Sequence, residues 1–353
     1  MIWLLRNLYE GQIGQVRGDW SRSNPFKIGG GVRQGCVLSA RLFCAVLQLA
    51  MSDWRKRVRG NGFDLEDGGL SLIDLRFADD ILLFARNADE AAWLLDSLVE
   101  ELSKVGLVLN AEKTNVLTSE AQPPPTLTTA AGTKLKILAR ENAQKWLGCM
   151  ISASGAHEHG ADIDHHIQSA SKAFYANRWL LCDKNVSITD RLEYFRAVVS
   201  AVACFGAGAR TVYKGDLKRL DVQFRKLGRQ IVGPPGGIDW SLPWHETLHA
   251  WHVRLDGILD NIGMNTWSTE CLQQYWRLAG YIANLPTDRW VSRVIAWQPH
   301  GRRPVGRPRF AWDEKLRCFC RWKGLGEWKL LAQSNLKQWH SYTVDFIGFC
   351  NAS

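Results

Sequence analysis

The sequence predicts an α+β fold, with a small antiparallel sheet and its helices over residues 1–153 and mainly helix beyond. Three observations carry that reading. Two short runs rich in Leu and Ile, Leu70-Ser71-Leu72-Ile73-Asp74-Leu75 and Ile81-Leu82-Leu83-Phe84-Ala85, are bounded by Gly-Gly before and Arg-Asn after, as paired strands are. Ala91, Leu95, Leu98, Leu102 and Val105 recur at the 4-3-4-3 spacing of a helix buried along one stripe. From about residue 155 onward the helical period dominates.

Taken in order, Ser39 starts a helix whose apolar positions are Leu42, Val46, Leu49 and Ala50. It ends in Arg55, Lys56, Arg57 and Arg59, cations well placed against the helix dipole. Asn87 with Glu90 forms a capping-box-like start for the second helix, Gly106 stops it, and Leu107-Val108-Leu109 reads as a strand. The proline-rich stretch from Gln122 to Gly132 cannot pack regularly; composition alone makes it a domain boundary, whereas a family resemblance carried by the motifs on both sides of it implies a surface loop. Ser187 and Asp190 form another capping box, for a helix with Ile188, Leu192, Phe195, Val199 and Val202 inward. Gly233-Pro234-Pro235-Gly236-Gly237 breaks the chain before a tryptophan-rich region. Eleven of the 17 tryptophans fall from Trp240 onward. Core packing is the default role for such rings, with base stacking the functional alternative. These breaks divide the chain into residues 1–153, 154–235 and 236–353.

The net charge of +9 favours a polyanionic partner and says nothing of the fold. Nine scattered cysteines without a C-x₂-C pair indicate neither a disulfide framework nor an ordinary zinc module. No apolar run is long enough to cross a bilayer, and Ile2-Trp3-Leu4-Leu5 is too short for a signal peptide, so a soluble, intracellular protein without a membrane partner is expected.

Phe77-Ala78-Asp79-Asp80, between the two strand runs, carries the most chemical information. Adjacent carboxylates repel one another and resist desolvation. A divalent cation such as Mg²⁺ relieves both problems, because it takes carboxylate and phosphate oxygens in one shell. Ordinary turn residues are the plain alternative, since Asp favours tight turns. The flanking segments decide between the two. Upstream lies Gly29-Gly30-Gly31-Val32-Arg33-Gln34-Gly35-Cys36-Val37-Leu38-Ser39; downstream come Gly106-Leu107-Val108-Leu109-Asn110-Ala111-Glu112-Lys113-Thr114 and Lys145-Trp146-Leu147-Gly148-Cys149. In that order and spacing the four segments closely resemble the palm of reverse transcriptases of non-LTR (LINE-type) retrotransposons. The departures are Val37 and Ala40, where that family usually carries proline.

The resemblance implies an RNA-directed DNA polymerase acting on an RNA template, a DNA primer or target and deoxynucleoside triphosphates. It assigns Asp79 and Asp80 to a two-metal Mg²⁺ site. Gly31, Arg33, Gln34 and Gly35 fall beside nucleotide and template, Lys113 near the departing pyrophosphate, and Trp146, Leu147 and Gly148 in a primer-grip turn. It also implies a nuclear location or a cytoplasmic ribonucleoprotein. The family's first catalytic aspartate precedes the Gly-Val-Arg-Gln-Gly segment by several tens of residues on its own strand. Here the sole aspartate before Gly31 is Asp19, in a turn-like Arg17-Gly18-Asp19-Trp20-Ser21. The expectation is therefore a C-terminal portion: partial palm, thumb-like helices and basic tail, from a truncated or decayed element, inactive by itself.

Two competing readings stand beside it. A non-catalytic nucleic-acid-binding remnant needs only the basic surface. Between residues 289 and 323 ten Lys or Arg face two acids, leaving eight positive charges, and Arg302, Arg303, Arg307 and Arg309 lie in a Gly-Arg-Pro-rich core. His245-Glu246-Thr247-Leu248-His249 fits the H-E-x-x-H pattern of zinc peptidases, although the extended pattern fails at His252 and Leu255. The cluster His157, His159, His165 and His166 reads as solvated histidines.

Overall fold

Helix α1 (Ile2–Tyr9) leads into the paired strands β1 (Ile13–Gly14) and β2 (Phe26–Lys27). They open a computed structural model that describes residues 2–65, 71–120, 122–153, 158–234, 236, 241, 243–297 and 311–352. The described residues form two compact units, one drawn from 1–64, 70–111 and 128–134, the other from 65–69, 112–127 and 135–353.

In the first unit, α2 (Ser39–Arg57) packs on α3 (Ala88–Ser103), beside the antiparallel pairs β3 (Phe63–Asp64) with β4 (Ser71–Leu72) and β5 (Asp74–Phe77) with β6 (Asp80–Leu83). The predicted strand pair is therefore present. Its core joins Leu47, Ala50, Met51, Trp54 and Val58 to Leu94, Leu98 and Leu102. The Trp54 indole Nε1 donates to Ser97 Oγ at 2.9 Å, satisfying a buried polar atom at both ends. The buried face of α2 differs from the sequence expectation. Val46 is 44% and Leu49 62% exposed, because the helix rotates to seat Trp54, its largest apolar side chain. Ser39 lies inside the helix rather than capping it, and its hydroxyl meets that of Tyr9 at 3.2 Å.

The second predicted helix stands as read. Asn87 accepts the Glu90 amide, and Gly106, at φ +74°, closes a Schellman pair from Leu107 N to Leu102 O and Gly106 N to Ser103 O. The strand expected at residues 107–109 is absent, and Val108 is 91% exposed. The strand starts later, where the chain finds a partner. In the second unit β7 (Asn115–Leu117) runs parallel to β9 (Lys134–Leu138), in a sheet ordered β7-β9-β8 with β8 at Thr126–Thr128. The stretch from Gln122 to Gly132 is not loop throughout: β8 lies inside it, and Leu127 and Thr129 are buried, because the strand finds a partner in β9.

β10 (Ala143–Trp146) and β11 (Cys149–Ser152) form a hairpin that precedes the helices. These are α4 (Glu158–Ala176), α5 (Arg178–Leu181), and α6 (Ile188–Phe195), which continues through a π turn at Arg196–Ser200 into α7 (Ala201–Ala203). Then come α8 (Lys214–Val232), α9 (Trp244–Asn261), α10 (Trp267–Ala283), α11 (Trp290–Ala296), α12 (Glu314–Lys323), α13 (Trp328–Ser334), α14 (Leu336–Ser341) and α15 (Thr343–Ala352). The Ser187 cap is formed as expected, and Leu192, Phe195 and Val199 are buried. Helix α10 serves two cores. Trp267 packs with Phe195 and Phe224 at one end, while Trp276 lies with Phe319 and Phe346 at the other. The Trp276 and Trp339 rings stack 3.7 Å apart, and each Nε1 donates to the other's carbonyl. Core packing is thus the role of Trp267, Trp276, Trp328 and Trp339.

One stretch, Ile188–Ala209, does reach the length and mean hydropathy of a bilayer-crossing helix. Its Leu192, Phe195 and Val199 side chains are buried in the core of the second unit.

Asp74, only 3% exposed at the start of β5, is the main buried charge of the first unit. It accepts Arg55 Nε and Nη2 at 2.7 and 2.9 Å and lies 3.0 Å from Arg76 Nε. Removing the carboxylate leaves two guanidinium groups without their counter-charge. Asp74→Ala should therefore cost about 2–4 kcal/mol, read as a lower urea midpoint by the fluorescence of Trp54 and its neighbours.

Candidate functional site

Asp79 and Asp80 sit at the tip of the β5–β6 hairpin. Phe77 pairs with Asp80 across the two-residue turn Ala78-Asp79, and Ala78 has φ +54°. Such a turn needs positive φ at its first position to follow the strand twist. Glycine is usual there, and a side chain costs on the order of 1 kcal/mol. Both carboxylates are exposed, and neither makes a side-chain hydrogen bond or ion pair with a described residue. Asp74, at the base of the same hairpin, is by contrast fully engaged with Arg55 and Arg76.

The glycine-rich segment lies in the same unit. Gly31 and Gly35 have φ +90° and +78°, with open space where a Cβ would stand. Backbone conformation, not crowding, requires glycine at both. Arg33 Nε donates to Gln12 Oε1 at 3.3 Å, which turns that guanidinium back toward α1, while Gln34 is exposed. The Ser39 hydroxyl beside Cys36 draws its thiol below the usual range.

In the second unit Trp146-Leu147-Gly148-Cys149 closes the β10–β11 hairpin, with Trp146 paired to Cys149. Leu147 and Gly148 have φ +48° and +87°, the two positive values of a type I′ turn. Ala78 and Leu147 are the only described non-glycine residues at positive φ. Both predicted motifs thus hold backbone strain, and strain persists only where the surroundings over-determine it.

What over-determines the second turn was not read from sequence. Asp162 Oδ1 accepts the Met150 amide at 2.8 Å, and Oδ2 accepts Arg210 Nε at 2.5 Å. His166, one helical turn along α4, sits with Nε2 at 3.4 Å from Asp162 Oδ1 and Nδ1 at 2.9 Å from the Val202 carbonyl. It is 2% exposed, which corrects the solvated reading of this histidine. The available signal was the Asp-x₃-His spacing on one helix face. Burial pushes the Asp162 carboxyl up, but His166, Arg210 and the Met150 amide outweigh it and bring it down to about 2. Burial likewise pushes His166 down, while Asp162, Cys149 and the Val202 carbonyl lift it to about 9. The donor atoms of Cys149, Asp162 and His166 lie within 4.8 Å of one another. Both Asp162 oxygens already accept hydrogen bonds and one faces a guanidinium, so the geometry is that of an ion-pair network.

Residues 2–151 match the sequence model of the family described as reverse transcriptase (RNA-dependent DNA polymerase). Over 254 residues the chain is 28% identical to a transposon-derived protein of Caenorhabditis elegans, covering 70% of this chain and 85% of that protein. It is 30% identical over 158 residues to the retrovirus-related Pol polyprotein of a type-2 retrotransposable element of Drosophila melanogaster. It is 31% identical over 83 residues to a 149 kDa protein of the TX1 transposon of Xenopus laevis. These two alignments cover 43% and 24% of the chain, and 14% and 6% of the respective relatives. The chain carries a reverse transcriptase domain of the non-LTR retrotransposon type.

The reverse transcriptase match encloses the Gly31–Gly35 segment, the acid pair, Lys113 and the Trp146–Gly148 turn, and stops before Asp162, His166 and Arg210. Lys113 lies in the second unit, exposed, two residues before β7. Arg302, Arg303, Arg307 and Arg309 fall outside the described residues, as does His157. His245 and His249 lie exposed on α9, with His245 Nε2 3.8 Å from the adjacent Glu246. No third metal-ligating group joins them among the described residues.

The network has a pH signature. Below its ordinary 6.5, His166 is charged folded or unfolded, and its lifted pKa contributes full stability that is lost as pH rises through about 9. Asp162 contributes above its ordinary 3.8 and loses that contribution as pH falls through about 2. Stability should thus plateau between these ranges and fall by up to ~3 kcal/mol from pH 6.5 to 9.5. Urea unfolding across pH checks this, with His166→Gln expected to flatten the alkaline limb.

Proposed function

We propose that this chain is the later part of an RNA-directed DNA polymerase of a non-LTR retrotransposon: a partial palm at residues 1–153, a thumb-like helical region at 154–235 and a basic, tryptophan-rich region at 236–353. The observation that carries the reading is the Asp79-Asp80 pair, strained into place at a hairpin tip and without a protein counter-ion among the described residues. Two adjacent hard-oxygen donors of this kind fit Mg²⁺. When bound there, Mg²⁺ supplies the charge that activates a primer 3′-hydroxyl and neutralises nucleotide phosphates. The chain's own residues hold the two carboxylates at the tip, with Asp79 the principal ligand and Asp80 in support. Gly31, Arg33, Gln34 and Gly35 serve nucleotide and template, Lys113 the leaving pyrophosphate, and Trp146, Leu147 and Gly148 the primer strand. RNA template, DNA primer and deoxynucleoside triphosphates are the partners of the intact enzyme.

The 353-residue chain by itself does not polymerise on this reading. Among the described residues no third carboxylate joins Asp79 and Asp80 within ligand distance. A primed RNA template with Mg²⁺ or Mn²⁺ should show no extension by the isolated chain. Extension above background that vanishes in Asp79→Ala would overturn this.

A nucleic-acid-binding remnant is the second reading, favoured by the eight excess positive charges between residues 289 and 323. It predicts binding through counterion release, with log Kd rising by about 0.9 per neutralised phosphate per decade of salt. Replacing Arg302, Arg303, Arg307 and Arg309 together by Ala should flatten that slope by up to ~3–4 units on duplex DNA. Equal slopes and affinities for variant and parent would place binding elsewhere.

A further inference from the structure

We propose that Asp162 is a positioning residue for the Trp146-Leu147-Gly148 turn: clamped between Arg210 and His166, it locks the turn onto the helices behind it and so fixes how the turn meets a primer terminus. The second half of this proposal rests on the primer-grip reading of the turn given above.

The turn cannot hold itself. Leucine at the first position of a type I′ turn is strained, and nothing in the two-residue loop compensates. Three contacts from later in the chain do. The Asp162 carboxylate takes the Met150 amide, at the exit of the turn, as a charge-assisted hydrogen bond. Gly148 lies flat on Phe205, where a Cβ would come within 2.6 Å of the ring. Cys149 Sγ sits 2.7 Å from the position a Cβ on Gly206 would take, so the strand after the turn and the end of the helix through α7 are in close contact.

One guanidinium links these contacts. Arg210 donates Nε to Asp162 and Nη2 to the carbonyl of Phe205, the ring that walls the turn. His166 completes the clamp, its ring fixed by the Val202 carbonyl and its Nε2 facing the Asp162 oxygen that holds Met150. Cys149, whose Sγ lies within 4.8 Å, and His165, whose ring centroid is 5.3 Å away, are the other titratable groups beside it. The buried charges are therefore arranged around one carboxylate, and that carboxylate holds the backbone of β11 one residue beyond the turn's closing pair. A network serving only the helical core would have no reason to reach Met150.

The test uses the 353-residue chain and two readouts. The first is amide exchange in the segment 143–152 against 267–283, which reports the core around α10. The second is the affinity for a labelled DNA primer on a longer RNA template, compared with a blunt duplex of the same length. In Asp162→Asn the isosteric amide keeps the volume and removes the charge. Exchange in 143–152 should accelerate, with 267–283 unchanged. The preference for the recessed primer end should fall roughly tenfold, the loss of one charge-assisted hydrogen bond. Arg210→Lys, which keeps the charge but loses the fork, should show the same pattern more weakly and covers the case where Asp162→Asn does not fold. Asp164→Asn, on the same helix but exposed, should change neither readout.

Unchanged exchange in Asp162→Asn and Arg210→Lys would overturn the lock itself. Faster exchange with an unaltered primer-end preference, or a parent chain without any such preference, would leave the lock standing and remove the primer-grip reading instead. Stoichiometric zinc in the parent, lost in His166→Ala, would replace the ion-pair network by a metal centre and overturn the proposal as well.

Discussion

A buried carboxylate neutralised by arginine stands behind each of the two hairpins that carry the candidate site. Asp74 does this for the acid-pair hairpin, through Arg55 and Arg76. Asp162 does it for the Trp146–Gly148 turn, through Arg210 and the Met150 amide. A buried ion pair is a poor source of net stability, because desolvation offsets most of the Coulombic gain. What it supplies is geometry: breaking it leaves an uncompensated charge, so neighbouring backbone has few alternatives. That is what a two-residue turn with a left-handed Ala78 or Leu147 needs, since its local preference points elsewhere.

The same contrast separates the buried acids from the pair proposed to hold a metal. Asp74 and Asp162 are buried and fully engaged, whereas Asp79 and Asp80 are exposed and adjacent, with no counter-charge from a described residue. Mutual repulsion raises the free energy of that arrangement, and the hairpin tolerates it because water still solvates both groups. An external cation is the natural relief. The difference follows from burial alone: the inner acids are held by arginines behind the hairpins, and the outer pair at one tip stays open to solvent.

Much of this was legible in the sequence where the signal is local. The caps at Asn87 and Ser187, the stop at Gly106 and the strand pair around Asp79 and Asp80 each depend on a few neighbouring residues, and all are present. The buried face of α2 was not, because Val46 and Leu49 have the right period but Trp54 sets the rotation through contact with α3. Residues 107–109 are apolar enough for a strand and lack a partner. A strand is a pairing property, and pairing is settled only at β7 and β9. Asp162, His166 and Arg210 escaped for the related reason that their partners are 12, 36 and 48 residues away, at Met150, Val202 and Asp162.

The H-E-x-x-H segment shows why spacing without burial carries little chemistry. On α9 the two histidines do share a helix face, as i and i+4 residues must, but that face points to solvent. The interior side of the helix is set by Thr247, Leu255 and Leu259, none of which can ligate a metal as a side-chain partner of His245 and His249 there. The Asp162–His166 pair has the same four-residue spacing on α4 and the opposite outcome. Its face turns inward, onto the end of the helix through α7, where a carbonyl, a guanidinium and a strand amide are waiting to be bonded. Which face a pair occupies is decided by the apolar residues around it. Ile163 and Ala170 turn α4 so that Asp162 and His166 face inward and become the polar part of a core contact.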